Sequence, residues 1–152
     1  MTENSQKQHL LDARYLRMAK IWAENSYCKR RQVGALLVKD KMIISDGYNG
    51  TPVGFENVCE DNDDHTLPYV LHAEANAIIS ASRRDMVGST LYLVGRDGRT
   101  GALLGDATSC AMCRRQVINA GISKVVIRKT ETEFEVVDVQ DWVQQEDDVP
   151  AL

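Results

Sequence analysis

The 152 residues predict an α/β protein in which helices are layered on a β-sheet. Three observations lead there. Apolar residues first recur every three to four positions, as on one face of a helix. Short β-prone runs then alternate with helix-forming stretches, and Gly, Asn, Asp and Pro cluster between them. Hydrophobic residues make up 43% of the chain and charged ones 26%, values typical of a protein that buries a core, and the length suits one domain over 1–152.

The elements follow in order. Over residues 9–27, Leu11, Tyr15, Ala19 and Trp22, with Leu16 and Ala23 beside them, mark an amphipathic first helix. Residues 33–38 and 42–45 are β-prone and joined at Lys39-Asp40-Lys41, which reads as a hairpin. Residues 47–68 hold Gly47, Asn49, Gly50, Pro52 and Gly54 and form a long loop, a feature that in small domains usually carries function. A second helix is expected from His72 through Arg84, and a strand over 91–94. Residues 96–107, with Gly98, Gly101 and Gly105, form a loop or excursion. A third helix fits 110–120, ended by Gly121 in the left-handed conformation. Strands are expected at 125–127 and 133–139, and the acidic end from about 140 is a short helix or a frayed tail. There is no internal repeat.

The net charge of −4 speaks against a protein that grips a long polyanion. Positive charge does cluster at Lys29, Arg30 and Arg31, a run that reads most simply as a solvated strand end. No apolar stretch approaches the roughly 20 residues that span a bilayer. Residues 1–8 are polar and lack the features of a secretory signal, so a cytoplasmic location is expected. In that reducing setting the four cysteines, Cys28, Cys59, Cys110 and Cys113, suggest metal binding or catalysis before disulfides.

Chemistry concentrates in His72-Ala73-Glu74 and the pair Cys110 and Cys113. One imidazole and two thiolates are three ligands of the type zinc prefers, and a catalytic zinc leaves its fourth position to water. Cysteines at i and i+3 share a helix face, and a helix N-terminus stabilises thiolates. Two thiolates already neutralise Zn²⁺, so its water nucleophile benefits from a nearby base, and Glu74 is placed to take and return the proton. Residues two apart on a helix diverge by about 200°. His72 and Glu74 therefore converge only if the helix starts at the pair. Each fragment alone is common, but His-x-Glu followed by Cys-x-x-Cys, each opening a helix with a strand between, is the layout of zinc deaminases.

Val33-Gly34-Ala35, Gly47-Tyr48-Asn49-Gly50-Thr51-Pro52 and His72-Ala73-Glu74-Ala75-Asn76-Ala77-Ile78 together resemble the cytidine and deoxycytidylate deaminase superfamily, most closely its dCMP deaminases. The resemblance implies a three-layer α-β-α fold with a central mixed sheet. It implies zinc on His72, Cys110 and Cys113, Glu74 as proton shuttle, and the Ala73 N–H near the pyrimidine carbonyl. Asn49 would donate to the nucleotide, with Gly50 and Thr51 letting backbone and hydroxyl approach. The reaction would be conversion of dCMP to dUMP by water attack at C4. Arg83 falls where related enzymes have an arginine near the nucleotide, though a cation at the end of a helix has a simpler electrostatic role. A homo-oligomer, hexamer or dimer, is also implied.

Some dCMP deaminases carry a second, structural zinc on cysteines placed like Cys28 and Cys59, with His65 a third candidate here; the alternative is two buried free thiols. Two departures from the family pattern stand out. Ser109 precedes Cys110 where proline is usual, and residues 96–108 are extra where close relatives turn tightly. They keep two rivals in view: a deaminase of another free cytosine or guanine compound, and a non-catalytic nucleotide-binding module on the same scaffold.

Overall fold

The structure, a computed structural model, describes residues 2–145. Helix α1 (Glu3–Ala23) opens six residues earlier than the apolar spacing suggests, because Thr2 caps it: its hydroxyl accepts the Ser5 N–H at 3.1 Å. The first turns face solvent and so carry no apolar signal. Strands β1 (Arg31–Lys39) and β2 (Met42–Tyr48) pair antiparallel. The turn between them places Asp40 and Lys41 at φ 52° and 63°, the two left-handed residues of a tight hairpin.

Strand β3 (Thr90–Asp97) lies antiparallel to β1, and β4 (Leu103–Leu104) folds back on the end of β3. Strand β5 (Lys124–Arg128) runs parallel to β3, and β6 (Phe134–Asp138) antiparallel to β5. The order β2-β1-β3-β5-β6, with β4 attached to β3, makes the sheet mixed. Residues 96–108 are therefore a short hairpin on the sheet, not a formless loop.

The alternation of β1 sends its side chains to two cores. Leu36 and Val38 meet Tyr15, Leu16 and Ala19 of α1 on one face. Ala35 and Leu37 face α2 (Ala73–Ile79), α3 (Arg83–Met86), α4 (Ala111–Ala120) and α5 (Val139–Gln145) on the other. Helices on both faces of a mixed sheet give the three expected layers. The acidic end beyond residue 145 lies outside the described residues.

The helix expected from His72 to Arg84 is two helices. Ser82 accepts the Asp85 N–H at 3.2 Å and starts α3 anew, the competition between serine side chain and helix backbone that favours caps over helix interiors. Gly47 matters most for position: a Cβ there would lie 2.4 Å from the Ala73 carbonyl oxygen and 2.6 Å from the Ala77 nitrogen. Its absence lets α2 press on β2. No helix among the described residues is long and apolar enough to cross a membrane.

Candidate active site

His72 is the N-cap of α2, in an extended conformation (φ −77°, ψ 155°), and its side chain makes no capping hydrogen bond. The helix starts at Ala73, as the convergence of His72 and Glu74 requires. Glu74, in the first turn, is buried, with 5% of its surface exposed. Cys110 is likewise the extended N-cap of α4, and its sulfur accepts the Cys113 N–H at 3.5 Å. Gly121, at φ 84°, ends that helix in the left-handed conformation.

The two helix starts meet. His72 Nδ1 lies 3.2 Å from Cys113 Sγ and 3.5 Å from Cys110 Sγ. A tetrahedral ion with Zn–N of about 2.0–2.1 Å and Zn–S of about 2.3 Å sets nitrogen and sulfur about 3.6 Å apart. The three donors fit zinc. No fourth His, Cys, Asp or Glu among the described residues joins the group, the donor count of a catalytic rather than a structural site. Burial, then the neighbouring Glu74 and Cys110, push the Cys113 thiol far above its ordinary range. A divalent cation between the sulfurs reverses that balance by stabilising the thiolates.

A cavity of about 250 Å³ stands over this group, lined by His72, Ala73, Glu74, Cys110, Asn49 and Arg31. The extra segment supplies part of its wall through Asp106, Ala107 and Thr108, so the excursion borders the same cavity as His72, Glu74 and Cys110. Ser109, in place of proline, is buried with its hydroxyl unpaired among the described residues, and its carbonyl accepts the Arg114 Nε–H at 3.2 Å.

Other expected residues fall differently. Asn49 lines the cavity, but its amide is engaged on both sides: Oδ1 accepts the Val33 N–H at 2.9 Å and Nδ2 donates to the Arg31 carbonyl at 2.8 Å. Gly50 and Thr51 are not cavity residues. Gly50 exchanges backbone hydrogen bonds with Leu71, at 3.1 and 2.7 Å, and the Thr51 N–H donates to the Tyr27 hydroxyl at 2.7 Å. Both close the loop and bring His72 beside Asn49. Arg83 opens α3 rather than ending a long helix, does not line the cavity, and donates from Nε to the Asn119 carbonyl at 3.2 Å.

The ligand set Cys28, Cys59 and His65 is not assembled. Cys28 and Cys59 form a buried disulfide beside the cavity, which consumes both sulfurs. His65 is exposed and turned to Asp61, Nδ1 to Oδ2 3.3 Å. The carboxylate near the sulfurs is Glu60, whose Oε1 accepts the backbone N–H groups of Lys29 at 2.7 Å and Arg30 at 3.0 Å. The disulfide also departs from the expectation of a reduced pair. Glu60 and Asp106 are cavity residues that the sequence did not single out; the carboxylate beside Cys59 was the available signal for the first.

The model of the cytidine and deoxycytidylate deaminase zinc-binding region matches residues 10–129. The chain belongs to this family. Among similar proteins is the deoxycytidylate deaminase of Mycobacterium phage D29, 30% identical over 132 residues that cover 78% of this chain and 94% of the phage protein. That of Saccharomyces cerevisiae is 32% identical over 124 residues, 76% of this chain, and the match spans only 36% of the yeast protein. The apo structure of the cyanophage S-TIM5 dCMP deaminase superposes with a TM-score of 0.64 at 31% identity, covering 96% of this chain and 94% of the phage chain. The same phage enzyme in complex with dCMP and dUMP gives 0.60 at 32%, covering 82% and 81%. The cytidine deaminase of Burkholderia pseudomallei, at 22% identity and a TM-score of 0.55, covering 93% and 95%, shares the deaminase fold.

Proposed function

We propose that the chain hydrolyses dCMP to dUMP and ammonia. The observation that carries the reading is the convergence of His72 Nδ1 with the sulfurs of Cys110 and Cys113 beside a buried Glu74 in one cavity. The dCMP deaminases among its relatives, and the Gly47–Pro52 loop that closes against Leu71, favour a deoxycytidine monophosphate over other amines.

His72, Cys110 and Cys113 would hold zinc, which when bound supplies a Lewis acid that lowers the pKa of water toward neutrality. Glu74 does the proton work. It takes a proton from the attacking water and places it on ring N3 as the C4–O bond forms. It then carries the second water proton to the amino group, the C4–N bond breaks, and ammonia leaves with Glu74 again a carboxylate. Burial of the carboxylate keeps these transfers local. The Ala73 N–H lies in the first turn of α2, where backbone donors have no intrahelical acceptor, and can serve the cytosine carbonyl. A cytoplasmic location and a homo-oligomer, dimer or hexamer, belong to the same reading.

Ammonia release from dCMP, CMP, dCTP, deoxycytidine and guanine, with zinc measured on the same sample, tests it. Turnover of dCMP with zinc bound is expected. Turnover of another compound with dCMP untouched overturns the substrate.

A further inference from the structure

Two features of the sequence have no part in the chemistry above: the basic run Lys29-Arg30-Arg31 and the extra residues 96–108. They meet at one point. Arg31 Nη2 lies 3.1 Å from Asp106 Oδ1, and both residues line the cavity over Glu74. The same pair also borders a second depression, lined by Arg30, Asp97, Arg99 and Leu104.

The neighbouring charges are largely committed. Arg99 pairs with Asp64 at 2.6 Å, which ties the extra segment to the long loop, and Arg30 donates to the Thr66 hydroxyl at 3.4 Å. Asp97 accepts the backbone N–H groups of Arg99 and Thr100 at 2.8 and 3.0 Å, bonds that hold its carboxyl below the usual carboxylate range. Arg31 is the arginine that faces the reacting centre, and its backbone is fixed by pairing with Asp97 and by Asn49.

Asp106 is also held in place. Gly105 passes so close to the residue after β5 that a Cβ there would clash with the Lys129 carbonyl oxygen, and Ala107 and Ser109 are buried on either side of Thr108. The backbone of Asp106 therefore stands at the cavity by construction, while its side chain, 74% exposed, is free to turn away. Exposed ion pairs of this kind are weak and screened. A phosphate dianion offers a guanidinium more charge and a bidentate geometry.

We propose that Arg31 takes the phosphate of the nucleotide and that Asp106 is its resident counter-ion, displaced when the phosphate arrives. The inference rests on the reading of the chain as a nucleotide deaminase and adds the residue pair that selects a monophosphate over a nucleoside. With a neutral nucleoside the pair stays closed, and Arg31 contributes nothing.

The test uses the zinc-loaded full chain, with calorimetric binding of dUMP, deoxyuridine and inorganic phosphate beside turnover of dCMP and deoxycytidine. Arg31→Gln should weaken dUMP at least tenfold and lower the preference for dCMP over deoxycytidine by a similar factor. Arg31→Lys should recover part of that loss. Asp106→Asn should tighten dUMP about threefold, and the gain should vanish in the double variant, where no arginine is left for the lost carboxylate to release. Unchanged dUMP affinity in Arg31→Gln, with melting temperature retained, overturns the assignment. So does an Asp106→Asn gain that persists without Arg31, which would show simple repulsion. Failure of the substrate reading is separate: it would appear as absence of dCMP turnover in the wild-type protein, while the binding series still decides the role of Arg31.

Discussion

Replacing Gly47 by alanine tests whether the contact between α2 and β2 sets the chemistry. The new Cβ would stand 2.4 Å from the Ala73 carbonyl oxygen, against an ordinary contact of 3.4 Å or more. Both close neighbours are backbone atoms of α2, so no side chain can swing aside, and the helix must retreat by about 1 Å. Overpacking of this kind costs about 1–3 kcal/mol. For a chain of 152 residues, about 2 kcal/mol lowers the melting temperature by roughly 6 °C. The larger effect should be on turnover, because α2 carries His72 at its cap and Glu74 in its first turn. A misplacement of about 1 Å at a reacting centre can cost on the order of 100-fold. The assay is kcat for dCMP well below the melting point, with a parallel thermal melt. Gly34→Ala is the control: its Cβ would meet the Ala19 carbonyl oxygen of α1 at 2.0 Å, so it should cost at least as much stability and less turnover. A Gly47→Ala protein that melts lower but keeps its kcat would refute the argument that this contact positions the site.

Three further outcomes are expected. Glu74→Gln should lower kcat by about 10²–10⁴-fold while zinc content and melting temperature stay near wild type; preserved turnover would remove Glu74 from the proton transfers. His72→Ala and Cys113→Ser should each lose bound zinc by elemental analysis, and a chelator should lower the melting temperature of the wild-type protein, since a ligand of the folded state stabilises it by mass action. Reduction of the Cys28–Cys59 bond, which closes a loop of sequence separation 31, should lower unfolding free energy by about 3–4 kcal/mol in urea titrations. Equal midpoints with and without reductant would show that the bond does not constrain the unfolded chain.

The layers were legible because periodicity reports burial. The spacing of Tyr15, Leu16 and Ala19 and the β-prone apolar run along 33–38 both record contact with a core. The grouping of His72, Cys110 and Cys113 was legible for a different reason: metal chemistry restricts residue type and spacing together. What could not be read depended on long-range placement. The break at Ser82 hides in a run of helix formers because a serine signals a cap only when the backbone before it has already turned. The pairing of Cys28 with Cys59 accompanies the binding of the Glu60 carboxylate to the N–H groups before β1, contacts 31 and 30 residues apart in sequence. The apparent ligand His65 was drawn away by a carboxylate four residues before it.

Topology explains why the functional groups share one end of the strands. The chain leaves α2 and α3 for the start of β3, so α2 begins over the far, C-terminal end of that strand. Helix α4 connects β3 to its parallel neighbour β5 and must also begin at the C-terminal end of β3. Two helix N-termini with their partial positive charges are thereby brought together, an arrangement that favours thiolates in the gap. Strand β1 is antiparallel to β3, so its first residue, Arg31, lies opposite Asp97 at this same end, and Asn49 follows β2 there as well. Any residues inserted between β3 and α4 must emerge at the mouth of the cavity. The extra segment can therefore change what the enzyme binds without disturbing the sheet, and the carboxylate of Asp106 against Arg31 is the place where that change should be felt first.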